Sequence, residues 1–295
     1  MITVGDAFEK FKSRFEATTT EEQNASARQQ RIRGQLDASE LEIRKDFLTG
    51  SYRRETKTKP LRDVDIFIVL SDLAYLSEHP VVVLSDVQKI LEPHYPGRTE
   101  PDRFAVRVDF GVQLVDDTSG EVMSFDVVPA FDHEDGGYLI PDDFTGQWVR
   151  TDPTVHAAMA TAANKVYDGR WKPLVKMVKK WNDHASKPIQ PSFLIEVMAL
   201  EILAGAWGGS YPRELRAFFA EATARIGEPW PDPARLGPNV SGQLEADPYQ
   251  RSAAQAALRD AERACTHALR LEQQGRIGDA LEAWQGLLGP AFAKS

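Results

Sequence analysis

Asp63 and Asp65 stand at alternate positions at the head of an apolar run, Ile66-Phe67-Ile68-Val69-Leu70. On a strand, residues i and i+2 project to the same side. Both carboxylates therefore leave one face of a segment otherwise bound for a core. Asp126 sits between Phe125 and Val127-Val128 on a later apolar stretch, and it reaches the same place if the two strands are neighbours. Carboxylates about 4 Å apart, at an effective dielectric near 20, repel by roughly 4 kcal/mol per pair. Such a group persists by holding a proton or a cation, and an all-oxygen donor set selects Mg²⁺ or Mn²⁺ over zinc. Upstream lie Gly50-Ser51 and the cations Arg53, Arg54, Lys57, Lys59 and Arg62. A glycine admits close backbone approach, and neighbouring amides with a serine hydroxyl suit phosphate oxygens. Phosphates and carboxylates are both anionic and meet only through a bridging metal. A plainer reading stays open: Asp63 caps the strand, Asp65 pairs with an arginine, Asp126 lies on a solvent face, and the Gly-Ser pair and the cations form a surface turn and loop.

The elements that position these residues follow from periodicity. The segment 63–70 reads as a strand, with Pro60 closing the cationic loop before it. "FAVRVDFGVQLV" (104–115) and "VMSFDVVPAF" (122–131) alternate with period two, and "DDTSG" (116–120) between them predicts a hairpin. Val4, Phe8, Phe11 and Phe15 mark an amphipathic helix over 4–17. Thr19 with Glu22 fits a capping box, opening a second helix that runs to about Leu36. A further helix spans 85–91, stopped by Pro93 and Pro96. After about residue 150 the pattern turns helical. Leu174, Val175, Val178 and Trp181 share one face, and 193–204 is a buried helix with Glu196 and Glu201 as exceptions. A Pro/Gly-rich excursion (228–242) precedes helices over 247–274 and 277–288. The expected fold class is α+β: a mixed-sheet core with long N-terminal helices over 1–150, and an all-helical lobe over 151–295.

Composition narrows the chemistry. The chain has 295 residues, 42% apolar, with 44 acidic side chains against 35 basic ones, a net charge of −9. That sign argues against sequence-blind adhesion to DNA or anionic membrane. Cys265, the single cysteine, excludes an intrachain disulfide, and the six scattered histidines form no transition-metal spacing. No GxxxxGK[ST] loop and no GxSxG elbow occurs, so P-loop kinase and serine-hydrolase readings fail. The charged N-terminus does not read as a signal peptide, and no apolar run approaches a membrane span. The expected location is the cytoplasm.

"GSYRRETKTKP", "DVDIFIVL" and "FDVVPAF", taken together, resemble the nucleotidyltransferase superfamily with the polymerase-β-like core. "DVVPA", "VKKW…PSFLIE" and the terminal "ALEAWQGLLGPAF" extend the likeness over nearly the whole chain. These pieces favour the CD-NTase family, bacterial relatives of cyclic GMP–AMP synthase and 2′–5′ oligoadenylate synthetase. Its members are the oligonucleotide cyclases of CBASS anti-phage defence. The resemblance implies that Gly50 and Ser51 hold the donor triphosphate, and that Asp63, Asp65 and Asp126 are catalytic and bind two Mg²⁺ ions, which Mn²⁺ replaces. It further implies that Lys179 and Ser192 touch the triphosphate, that Phe193 stacks on a base where the family often has tyrosine, and that the nucleotide cleft is completed by the helical lobe. Lys179 as a solvated lysine and Phe193 as plain core remain open. Asn164 is a candidate for reading a base edge through its amide. The implied reaction joins nucleoside triphosphates into a cyclic di- or oligonucleotide. The alternatives are a linear 2′–5′ oligoadenylate-type synthetase and a non-catalytic nucleotide-binding module of the same fold. With no zinc insertion and no basic stripe, the expected regulator is a protein partner or metabolite, with neither a nucleic-acid activator nor a membrane involved.

Overall fold

The computed structural model describes residues 2–16, 18–59, 63–112 and 124–292. Pro60, Arg62 and the turn expected at 116–120 lie outside the described residues. The chain forms two compact units, Ala17–Ala157, and Met1–Glu16 with Ala158–Ser295. The first helix, α1 (Val4–Ser13), thus belongs with the C-terminal residues, whereas the expected boundary near 150 grouped it with the sheet. Its apolar face explains this. Phe8 packs at 5.0 Å against both Trp284 and Phe292, and Phe11 at 5.4 Å against Phe292. Burying each phenyl ring stabilises by about 1.5–3 kcal/mol. A capping box between Thr3 and Asp6 fixes where the helix starts.

Within Ala17–Ala157 the elements run α2 (Thr19–Asp37), β1 (Ile43–Leu48), α3 (Gly50–Arg53), β2 (Asp63–Leu70), a 3₁₀ turn (Leu73–Ser77), α4 (Val81–Leu91), β3 (Thr99–Asp102), β4 (Ala105–Asp109), β5 (Ser124–Asp132), β6 (Tyr138–Asp142) and β7 (Gln147–Thr151). Thr19 is already helical, and the Glu22 amide donates to the Thr18 carbonyl at 3.1 Å. The N-cap position is therefore Thr18, one residue before the expected box. The sheet order is β1-β2-β5-β4-β3, with β6 paired to β5 and β7 to β6. β2 and β5 are parallel, and every other pair is antiparallel. One edge of β5 is shared: β4 covers it as far as Val127 and β6 takes over at Phe131. Pro129, which has no amide to donate, falls in the gap between them. Alternation sends Val64, Ile66, Ile68, Phe125 and Val127 into a core with Ile32 and Leu36 of α2 and Val83, Leu84, Val87 and Leu91 of α4. The opposite face carries Phe67, Val69, Val128 and Ala130.

The other unit contains α1 and then helices alone among the described residues. These are α5 (Pro153–Val166), which starts just before the boundary, α6 (Trp171–His184), α7 (Phe193–Ile202), α8 (Tyr211–Arg225), α9 (Gly242–Ala246), α10 (Pro248–Gln273) and α11 (Ile277–Leu288). Trp171 is fully buried and donates its indole N–H to the Ala199 carbonyl at 3.1 Å, tying α6 to α7. Trp181 meets Phe219 of α8 edge-on at 4.7 Å. α10, long enough to pack on both α8 and α11, opens on Asp247, whose carboxylate accepts the Tyr249 and Gln250 amides. No helix of the described residues is long and apolar enough to cross a membrane.

Candidate active site

The register of β2 against β5 brings the three aspartates together. Asp65 lies directly opposite Asp126, and Asp63 opposite Ser124. Val64 and Phe125 alternate into the core, so the carboxylates share the other face. The Ser124 hydroxyl donates to Asp63 Oδ1 at 2.8 Å. Arg107, opposite Asp126 on β4, is a residue the sequence reading passed over. Its Nε donates to Asp126 Oδ1 at 3.1 Å, and its Nη2 donates to Asp102 at 2.9 Å and lies 3.9 Å from Asp63. Alternation in "AVRVD" marks Arg107 as facing away from Val106 and Val108, but only the strand pairing shows what it faces.

Asp63 is half exposed, whereas Asp126 is largely buried. Burial first, then the negative charges of Asp65 and Asp63, push Asp126 up to about 7, with Arg107 holding it back. Burial pulls Arg107 down, but its hydrogen bond to Asp126 and the charges of Asp126, Asp63 and Asp102 together raise it above the usual guanidinium range. The folded-state value of Asp126 exceeds the unfolded one, near 3.9. Its protonated form thus favours folding below about pH 4, and that stability is lost as pH rises through 7. The loss reaches about 4 kcal/mol at most, from roughly three pK units. Without metal, Asp126→Asn is expected to flatten the fall in melting temperature between pH 5 and 8 relative to wild type. Parallel profiles of the two proteins, by scanning calorimetry in EDTA, would contradict this electrostatic reading.

Gly50 and Ser51 open α3 next to the aspartates. Gly50 has φ +61°, in the left-handed region, and a side-chain carbon there would overlap the Asp65 carboxylate. Glycine is needed on both counts. The Thr49 amide donates to the Asp65 carbonyl at 2.8 Å, and the Ser51 carbonyl accepts the Thr56 and Lys57 amides at 3.0 and 3.1 Å. The cations after them are not a uniformly solvated loop: Arg53 is exposed, but Arg54 and Lys57 are buried, and the Lys57 ammonium lies 3.7 Å from the Tyr52 ring centroid. Gly50→Ala is expected to cost about 1–2 kcal/mol of backbone strain. By displacing Asp65, it should also lower turnover about 10²-fold. Turnover within twofold of wild type would show that the Gly50–Asp65 contact does not matter.

In the helical unit the candidates occupy different settings. Lys179 is buried, and its Nζ donates to Glu196 Oε1 at 2.6 Å, with Glu196 only 2% exposed at its side chain. Glu196, anomalous in an apolar helix, is thus the counter-ion of Lys179. Ser192 is exposed at the start of α7, where its side chain makes no capping bond. Phe193 is half-buried against the helical core. The Asn164 amide oxygen accepts the Lys172 N–H at 3.1 Å, serving an otherwise open end of α6 where Arg170 provides no side-chain cap.

Three aspartates offer a hard, all-oxygen donor set, and the single Arg107 guanidinium beside them offsets only part of its negative charge. Among the described residues no three acidic, His or Cys side chains converge as a preformed cage.

A domain described as Second Messenger Oligonucleotide or Dinucleotide Synthetase matches residues 1–164, more than half of the chain. A probable cyclic nucleotide synthase of Bacillus cereus is 27% identical, with 82% of this chain and 80% of that protein covered. A cyclic AMP-AMP-AMP synthase of an Acinetobacter species is 26% identical, over 100% of this chain and 87% of that one. Among solved structures, E. coli CdnC in its CdnC:HORMA-deltaN complex superposes with a TM-score of 0.73 at 17% identity, over 98% of each chain. The mixed sheet and helices are the polymerase-β-like arrangement of these neighbours. The chain belongs to the Second Messenger Oligonucleotide or Dinucleotide Synthetase family, and it is a nucleotidyltransferase of the CD-NTase group.

Proposed function

We propose that this protein joins nucleoside triphosphates into a cyclic di- or oligonucleotide second messenger, releasing pyrophosphate, in a reaction that requires Mg²⁺ or Mn²⁺. The observation that carries the reading is the β2–β5–β4 register, which sets Asp63, Asp65 and Asp126 on one face beside Gly50. Asp63, Asp65 and Asp126 are the residues to hold the two cations. When bound, these cations supply charge neutralisation at the leaving pyrophosphate and an acidified attacking hydroxyl. Gly50, having no side chain, leaves the backbone open to a triphosphate next to Asp65, and Ser51 offers a hydroxyl there. Arg107 orients Asp126 and balances its charge. In the helical unit Lys179 and Ser192 are the proposed triphosphate contacts, Phe193 the proposed stacking ring and Asn164 a base-edge donor through its amide nitrogen, its oxygen being engaged.

The two curated relatives, named as cyclic nucleotide synthases, support a cyclic product over a linear one. Family membership supports a role in anti-phage defence and a cytoplasmic location. The CdnC:HORMA-deltaN complex supports control by a protein partner. Mass spectrometry of the product formed from all four ribonucleotides with Mg²⁺ tests the proposal. A phosphatase-resistant species lacking terminal phosphates is expected. A ladder of 5′-triphosphate oligomers would make the enzyme a linear synthetase, and no pyrophosphate release with any mixture would leave a binding module. Long DNA and RNA duplexes are expected to leave the rate unchanged at low salt, where electrostatic binding is strongest. Length-dependent stimulation would reveal a nucleic-acid sensor.

A further inference from the structure

A straight row of charged side chains crosses four strands on the face of the sheet that carries the aspartates. Asp65 on β2 lies opposite Asp126 on β5, Asp126 opposite Arg107 on β4, and Arg107 opposite Glu100 on β3. Directly opposed residues are the ones that interact across a sheet. Asp102, two residues beyond Glu100 on the same strand, projects to the same side. Arg107 therefore stands between two acidic groups, the aspartates of the site and the pair on the edge strand. Its guanidinium reaches both. Nε donates to Asp126 at 3.1 Å and Nη2 lies 3.9 Å from Asp63. Nη2 also donates to Asp102 at 2.9 Å, and Nη1 lies 3.7 Å from Glu100.

The two acidic groups differ in what they give the fold. The side chains of Glu100 and Asp102 are 68% and 52% exposed, against 14% for Asp126. Exposed ion pairs add little to stability, so the fold alone gives little reason for two acids there. An arginine keeps its proton throughout the working range of a protein. When Asp63, Asp65 and Asp126 hold a divalent cation, the guanidinium beside it is repelled and cannot relieve that repulsion by losing a proton. Movement is the remaining way out, and Asp102 and Glu100 are acceptors already within reach.

We propose that Arg107 is a two-position counter-ion: without metal it clasps Asp126 and Asp63, and when the aspartates take a divalent cation it withdraws onto Asp102 and Glu100. Those two acids are thereby positioning residues of the reaction, acting on the metal site through Arg107. The inference rests on the reading that the aspartates hold the cations. Its consequence is that metal affinity is set by a contest with an arginine as well as by the aspartate oxygens.

The test is Mn²⁺ binding to the full chain without nucleotide, followed by the electron paramagnetic resonance of free Mn²⁺. A buffer at about pH 8 keeps proton competition small at Asp126, which is pushed up to about 7. Arg107→Gln is expected to bind Mn²⁺ about tenfold more tightly than wild type, because a cation beside the site is lost. Arg107→Lys, which keeps the charge, should stay within about threefold of wild type. Glu100→Gln/Asp102→Asn should weaken binding at least about threefold, but change it less than about twofold when Arg107→Gln is also present, since residues acting through a shared partner are not additive. Unaltered far-ultraviolet circular dichroism checks the fold of each variant, and Arg107→Met repeats the test without a hydrogen-bonding group. Affinity at or below that of wild type in both neutral variants would make Arg107 a fixed support for Asp126 and overturn the proposal. An effect of the Glu100 and Asp102 changes that persists without Arg107 would also overturn it, because these acids would then act on the metal directly. Asp63→Asn/Asp65→Asn tests the underlying reading separately. Mn²⁺ binding that survives this pair of changes would show that the aspartates are not the metal site, and would remove the inference with it.

Discussion

Replacing Asp63 and Asp65 together by asparagine is expected to abolish nucleotidyl transfer while making the metal-free protein more heat-stable. Asparagine keeps an oxygen for the Ser124 hydroxyl, which donates to Asp63 at 2.8 Å, so the local geometry survives. What disappears is anionic charge. Metal-assisted charge stabilisation is worth several kcal/mol, and about 4 kcal/mol corresponds to roughly 10³-fold in rate. In the absence of metal those same charges burden the fold, since Asp65 and Asp63 are among the causes that raise Asp126 to about 7. At neutral pH the variant is therefore expected to melt above wild type in EDTA, with about 4 kcal/mol per close pair as an upper scale. Activity lost together with a lower melting temperature would mean that the aspartates serve folding, and undiminished turnover would end the nucleotidyltransferase mechanism.

Lys179→Ala is expected to be costly for a reason unrelated to nucleotide. Its partner Glu196, 2% exposed, would lose the ion pair it makes with Lys179, and breaking a buried pair costs up to about 3–5 kcal/mol. At about 2–4 °C per kcal/mol for domains of 150–250 residues, a fall on the order of 10 °C in melting temperature follows. The paired variant Lys179→Met/Glu196→Leu removes both charges and should recover most of that loss, because a buried ion pair is often matched by apolar groups of similar volume. Triphosphate binding measured in this stable background separates the two roles. Weakened binding is expected if the ammonium also meets phosphate; wild-type affinity would leave Lys179 as a structural cation alone.

Strand β2 was legible to the residue because an unbroken apolar run follows the two aspartates, and α11 likewise spans the expected 277–288. The strands that escaped were of other kinds. β1, "IRKDFL", has no alternation, and β3, "TEPD", is a four-residue edge strand containing a proline. β6 and β7 are five residues each and pair beyond the shared edge of β5. Helix α1 was read correctly as amphipathic, yet an apolar stripe does not say which core it joins; that took Trp284 and Phe292, at the far end of the chain. The site shows the same division. Residue types and local spacing marked Asp63, Asp65, Asp126 and Gly50. Arg107 and Glu196 stand out locally as charges in an alternating strand and an apolar helix, but what each meets is defined by strand register and helix packing between distant segments.

The account rests on the aspartates serving metal-dependent nucleotidyl transfer, and pyrophosphate release from nucleoside triphosphates measures this most directly. Purified protein would be given all four ribonucleotides in EDTA, then in excess Mg²⁺ or Mn²⁺, with the Asp63→Asn/Asp65→Asn variant alongside. The account predicts release from wild type only with added metal, and none above background from the variant in any condition. Release in EDTA, or equal release from the variant with metal, would contradict it.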